Sequence, residues 1–168
     1  MVFWLSIIGP LVILVFGFVV FFGPPYLPTL TKQVETALDL LALEPGEMLL
    51  DLGSGDGRIL LAAAKRGWKV TGIELNPLLV LISLAVTFRY RKHIRVVWGS
   101  YWSGPWPRAD GIFTFMLPKY MSKLDEQIEK WQHKPVKLAS YAFVIPGKEP
   151  IEKRDGVFLY QYKETPQS

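Results

Sequence analysis

Apolar and polar positions along this chain fall into two regimes. Phe3 to Phe22 is a run of 20 residues with no charged side chain, relieved only by Ser6, Gly9, Pro10 and Gly17. A helix of that length rises about 30 Å, which matches the hydrocarbon thickness of a bilayer. A cleaved signal sequence would open on basic residues and close on small ones. Here no Lys or Arg precedes the run, and the bulky Phe21-Phe22 ends it. The pattern predicts one uncleaved transmembrane anchor over residues 1–23. Pro24, Pro25 and Pro28 cannot continue a helix and give a short, stiff linker over 24–30.

From residue 31 to 168 the pattern changes to short alternating segments. Val34, Ala37, Leu38 and Leu41 recur at helical spacing, and Glu44-Pro45-Gly46 is expected to stop that helix. Met48 to Leu52 reads as a strand, Ile59 to Ala64 as a helix ended near Gly67, and Lys69 to Glu74 as a second strand. Asn76-Pro77 opens a helix, with Asn as cap and Pro in the first turn. Arg95–Trp98 and Gly111–Phe115 read as strands. Ser122 with Asp125 is expected to cap a helix bearing Leu124, Ile128 and Trp131. Leu138 to Ile145 reads as a fifth strand, and Ile151 to Lys163 as a hairpin turning at Arg154-Asp155-Gly156. Strands alternating with helices predict an open α/β sandwich with its ligand at the carboxyl ends of the strands.

Composition narrows the chemistry. The chain has no cysteine, which excludes disulfides, thiol nucleophiles and cysteine-ligated metals. Its two histidines, His93 and His133, are isolated and read as solvated helix-end residues rather than metal ligands. The net charge of +4 lies wholly beyond residue 31, Lys32 being the first charged side chain. That basic flank favours a domain on the cytoplasmic or matrix side of the membrane.

The segment Asp51-Leu52-Gly53-Ser54-Gly55-Asp56-Gly57-Arg58 joins an apolar strand to a helix. Its glycines let the backbone approach a ligand and take φ values that other residues avoid. Dinucleotide loops follow G-x-G-x-x-G, but Arg58 occupies the last position of that pattern. Two carboxylates, Asp51 and Asp56, flank the loop. Beside a pyrophosphate each would cost about 1–4 kcal/mol at a few ångströms. S-adenosylmethionine instead brings an ammonium and a sulfonium, so the charges point to it. Glu74 closes the second strand, where an acid can accept ribose hydroxyls from either cofactor. Leu75 and Asn76 should follow the adenosine. Gly99, Ser100 and Tyr101, after the third strand, are placed to meet the adenine.

These residues resemble class I methyltransferases from about Pro24 to Ile145. The closer resemblance is to small membrane-anchored lysine methyltransferases that include enzymes for the adenine nucleotide translocase and for the c-ring protein of ATP synthase. It is carried by the hydrophobic N-terminus, Pro25-Tyr26-Leu27-Pro28-Thr29, the glycine loop, and Gly72-Ile73-Glu74-Leu75-Asn76-Pro77-Leu78-Leu79-Val80. The resemblance implies a Rossmann-like, seven-stranded sandwich with the last strand antiparallel, spanning 31–168. It implies methylation of lysine in a membrane protein, and Pro28 and Thr29 as a wall of the cofactor site. Ser100 departs from the acid common after the third strand. Phe115-Met116-Leu117-Pro118-Lys119-Tyr120 departs from the Asn/Asp-Pro-Pro-Tyr run of amide and nucleobase methyltransferases.

An amine acceptor must be neutral to react, and deprotonating an ordinary lysine at pH 7 costs about 4.6 kcal/mol. An apolar or aromatic pocket offsets that cost by desolvating the ammonium. Phe113, Phe115, Tyr120 and Tyr101 are the candidates for this pocket, with Tyr120 and Phe115 placed to meet the acceptor. Asp51 suits the cofactor ammonium rather than a base. Trp98, Trp102 and Trp106 crowd one segment that could sit at a membrane interface or frame a substrate helix. Arg89, Arg91, Lys92 and Arg95 form a basic cluster that suits either lipid headgroups or plain solvation. No nucleic-acid recognition motif is present, and nothing in the sequence sets an oligomeric state. A small or lipid-like acceptor, or a non-catalytic membrane assembly factor, are the alternatives.

Overall fold

The computed structural model describes residues 29–132 and 135–163, together with Ser6, Gly9 and Pro10. Apart from Ser6, Gly9 and Pro10, the expected anchor over 1–23 lies outside the described residues, as do most of the proline linker, Pro28 included, and His133. Among the described residues no helix is long and apolar enough to cross a membrane.

From Thr31 onwards the elements follow in the order α1 (Thr31–Leu41), β1 (Met48–Leu52), α2 (Arg58–Lys65), β2 (Lys69–Glu74), α3 (Pro77–Thr87), β3 (Ile94–Trp98), β4 (Gly111–Thr114), α4 (Met121–Trp131), β5 (Val136–Tyr141), β6 (Glu152–Arg154) and β7 (Val157–Tyr162). The sheet order is β3-β2-β1-β4-β5-β7-β6. β1 through β5 pair in parallel, whereas β7 runs antiparallel to both β5 and β6. The seven-stranded architecture with a reversed last strand is therefore present.

Strand side chains alternate between two buried layers, as a pleat requires. Leu49, Val70, Phe113, Ala139 and Leu159 pack with Leu38 and Leu41 of α1 and Leu60 and Ala63 of α2. Leu50, Ile73, Ile112, Leu138 and Tyr160 face Met121, Leu124 and Ile128 of α4. Phe113 thus belongs to the core and not to an acceptor pocket. Trp106 is buried against Trp131, with its Nε1 donating to the Tyr101 carbonyl at 2.7 Å. It does not face a membrane.

Several boundaries differ from the sequence pattern, each for a local reason. α1 ends at Leu41 because Ala42 adopts a left-handed conformation and its N–H caps the Leu38 carbonyl, before Glu44-Pro45-Gly46 is reached. β4 ends at Thr114, which leaves Phe115 in the loop. α4 begins at Met121 with Tyr120 as its N-cap residue, and no side chain caps it among the described residues. The expected cap partner Asp125 instead accepts from Lys148 Nζ at 2.7 Å and from the Tyr162 hydroxyl at 2.6 Å. β5 spans 136–141, not 138–145. Ala142 takes a positive φ of 69° and donates to Gly156 of the hairpin, turning the chain off the sheet. The Asn76 cap is as expected, its side chain accepting from Leu78 N at 2.9 Å.

Candidate active site

The glycine turn sits at the carboxyl end of β1, in the middle of the parallel strands, where neighbouring turns converge. Gly53, Gly55 and Gly57 all have positive φ, at 88°, 55° and 84°. The turn is held from β2, since both Gly53 N and Ser54 N donate to the Ile73 carbonyl at 2.9 and 3.1 Å. Gly72 of β2 lets this happen. A Cβ there would stand 2.7 Å from the Ser54 Cβ and 2.8 Å from the Leu60 Cδ1.

Asp51 is 1% exposed, on the α1–α2 side of the sheet. Among the described residues its buried Oδ2 has no hydrogen-bond partner. Burial raises its carboxyl well above the usual range, with the charges of Glu74 and Asp56 adding to the effect. A buried carboxylate without a cation is costly, so this position is suited to a cationic ligand. Glu74 is also buried, and its two oxygens accept from Gly55 N at 2.9 Å and Asn76 N at 2.8 Å. The carboxylate therefore ties the β1 and β2 turns together and retains lone pairs for ribose hydroxyls.

Asp56 plays a different part from the one its sequence position suggests. Its carboxylate is gripped by Arg58, with Nε–Oδ1 at 3.0 Å and a second nitrogen on Oδ2 at 2.7 Å. The same guanidinium donates to the Thr29 carbonyl at 2.8 Å. Arg58 neutralises Asp56 and pins the buried Thr29 beside the loop. The negative charge left for a ligand is then that of Asp51 and Glu74, and not that of Asp51 and Asp56 as the sequence suggests.

The β3 turn closes the other side. Gly99 N donates to the Glu74 carbonyl at 2.9 Å, and Trp98 Nε1 donates to the Leu75 carbonyl at 3.0 Å. Ser100 Oγ accepts from Trp102 N at 3.1 Å, which shapes the turn and leaves the hydroxyl proton free to donate elsewhere. Tyr101 reaches over the glycine turn, its ring 3.9 Å from where a Gly53 Cβ would be. Burial, then the neighbouring Tyr120 and Glu74, push its phenol up to about 12.

Trp102 joins Tyr101 edge-on at 4.8 Å and meets Tyr120 at 5.8 Å, forming an aromatic wall. The spacing of Trp102 leaves open a membrane interface or a frame for a substrate helix, and does not reveal that the turn folds it towards Tyr120. Lys123 and Lys119 lie over the Trp102 and Tyr120 rings at 4.3 and 4.8 Å. The two ammonium groups already occupy these ring faces, so an incoming amine meets like charge there, which disfavours its protonated form. Phe115 packs on Tyr141 at 4.7 Å and stacks with Phe143 at 6.2 Å, at the end of β4. His93 precedes β3, at the amino end of the strand and so opposite the carboxyl-end turns that form the site. Among the described residues no group of three or more His, Asp or Glu side chains is arranged to hold a metal ion.

A sheet of this order with a reversed β7, a glycine turn after β1 and an acid ending β2 defines the class I methyltransferase architecture. The chain belongs to the family described as the ANTKMT methyltransferase domain, which matches residues 51–152. It is 34% identical to a human lysine N-methyltransferase named for the ATP synthase c protein, over 75% of this chain and 54% of that protein. It is 31% identical to a protein-lysine N-methyltransferase of Saccharolobus islandicus, over 81% of this chain and 92% of that one. The chain spans about half the length of the human relative. Among solved structures, an RNA methyltransferase from Salinibacter ruber with S-adenosyl-L-homocysteine superposes with a TM-score of 0.75. That pair is 25% identical and covers 84% of this chain and 98% of the other.

Proposed function

We propose that this chain is an S-adenosylmethionine-dependent methyltransferase that modifies lysine side chains of a membrane protein. One observation carries the cofactor reading: Asp51 is a buried carboxylate whose Oδ2 lacks a partner among the described residues, at the mouth of a glycine turn. A cationic amino-acid moiety satisfies it, and a pyrophosphate would not. The acceptor is taken from relatives named for lysine N-methylation, in human, mouse and archaeal proteins.

In this reading Asp51 holds the ammonium and Glu74 accepts the ribose hydroxyls. Leu75, Asn76, Gly99, Ser100 and Tyr101 border the adenosine, and Thr29 walls the site through Arg58. When bound, the cofactor supplies a methyl group already activated on a sulfonium. The chain's own work is to align the amine, exclude water and keep it neutral. Tyr101, Trp102 and Tyr120 desolvate the incoming ammonium and so favour its neutral form. The Tyr101 phenol, at about 12, stays protonated near neutrality and orients by hydrogen bonding rather than taking a proton. The uncharged run Phe3–Phe22 supports a single membrane span, with this domain on the cytoplasmic or matrix side.

The test is to incubate membranes with the full chain and methyl-labelled S-adenosylmethionine, then locate the label by peptide mass spectrometry. Label is expected on lysine side chains of membrane proteins. Label confined to the lipid extract would replace the acceptor with a lipid-like molecule. No label, with no cofactor heat in calorimetry, would leave a non-catalytic assembly role.

A further inference from the structure

α3 buries the wrong residues for an ordinary surface helix. Its sheet-facing positions are Val80, Ser83 and Thr87, two of them polar, with Ser83 fully buried. The outward positions are Leu78, Leu81, Ile82, Leu84 and Val86, followed by Phe88, with Leu81 65% and Phe88 62% exposed. At 3.6 residues per turn these side chains cover about 200° of the circumference. Trp98, 67% exposed at the end of the edge strand β3, extends the same apolar character to the carboxyl edge of the sheet. Apolar surface this continuous marks an interaction site.

The charge next to it says what kind. Residues 75–109 hold five of the nineteen basic side chains and none of the fifteen acidic ones. Arg89, Arg91, Lys92 and Arg95 are all exposed, just beyond the helix and on β3. A solvated helix end would account for these cations alone. It does not account for a helix that hides Ser83 and Thr87 while presenting leucines to water. The uncharged N-terminal run could cover apolar side chains, and so could a second copy of α3, but neither brings anions to the cluster. A bilayer with anionic headgroups satisfies both features. α3 is 11 residues long, about 16 Å, roughly half of a bilayer core. It therefore lies along the surface.

We infer that α3 and the following turn form an in-plane docking face for an anionic lipid bilayer, separate from any N-terminal span. Because α3 starts three residues after Glu74, and Trp98 donates to the Leu75 carbonyl, docking holds the cofactor-side turns next to the headgroup layer. This inference does not rest on methyl transfer. Its readout needs neither cofactor nor acceptor.

The absence of cysteine makes the test direct. The full chain carrying Leu81→Cys or Ala85→Cys, with Lys130→Cys on exposed α4 as the reference, is labelled with an environment-sensitive fluorophore. Each is reconstituted into phosphatidylcholine vesicles with or without phosphatidylserine. Lipid-borne spin labels are expected to quench positions 81 and 85 and to leave 130 bright, more strongly with phosphatidylserine. Changing Arg89, Arg91, Lys92 and Arg95 together to Gln is expected to reduce that quenching at least about twofold. Three results would overturn the inference. One is quenching at 81 and 85 no greater than at 130. Another is shielding of 81 and 85 from aqueous iodide without lipid quenching, which means the chain itself or a second copy covers α3. The third is shielding only upon addition of structured RNA.

Discussion

Asp51 concentrates the electrostatics of the site in one carboxyl group. Its raised pKa means that the free protein binds a proton there more tightly than the unfolded chain does. The resulting stability is present below the unfolded value near 3.9 and is lost as pH rises through the folded one. An ammonium beside Asp51 reverses the preference. Binding of S-adenosylmethionine should therefore release a proton and tighten with pH until Asp51 is ionised in the free protein. Titration calorimetry in buffers of different ionisation enthalpy measures this directly, and Asp51→Asn should bind more weakly with the proton release gone. Tyr120 gives a second test of a single side chain. Tyr120→Ala opens the aromatic wall against Trp102, so kcat should fall by about tenfold or more while cofactor affinity changes little. Single-turnover assays beside calorimetry separate the two, and an equal loss in both would move Tyr120 to the cofactor.

At the scale of elements, the site depends on how three turns grip one another. Gly72 is the contact between β2 and the turn after β1, so Gly72→Ala forces Ser54 and Leu60 apart. A cost of about 1–3 kcal/mol is expected from such overpacking, visible as a lower Tm, with weaker cofactor binding because the displaced residue belongs to the turn. Arg58 does the corresponding work for the segment that precedes α1. Its side chain is partly exposed, so Arg58→Ala should cost only about 1 kcal/mol of stability. Its effect on cofactor affinity should be larger, because Thr29 loses its tie to the loop. Thermal shift with and without S-adenosylmethionine distinguishes these: the ligand-induced shift should shrink more than the baseline Tm.

Across the whole molecule, a two-sided sheet supplies the stiffness on which the turns rely. Ile112 in β4 is fully buried between β1 and β5, facing α4. Ile112→Ala should destabilise by about 2–5 kcal/mol through lost contacts and a residual cavity. That is a large part of the roughly 5–15 kcal/mol typical of a domain, and chemical denaturation would measure it. A value below about 1 kcal/mol would mean that the core relaxes around β4. The helices are unequal, since α1 and α2 bury their apolar side chains against the sheet while α3 turns leucines outwards beside a basic edge. The molecule consequently has a preferred side for contact.

Local patterns were enough to determine the strand-turn-helix around Asp51, the acid ending β2, the Asn76 cap and the closing hairpin, because each depends on residues a few positions apart. The class of fold followed from their alternation. Only the tertiary structure decided which charges remain for a ligand, since Arg58 pairs with Asp56 and reaches Thr29, 29 residues earlier in the chain. It also decided that Trp102 turns towards Tyr120, that Phe113 and Trp106 are core, and that β5 ends where Ala142 meets Gly156. Those outcomes depend on partners brought together by the sheet, and side-chain spacing along one segment carries no record of what will face it.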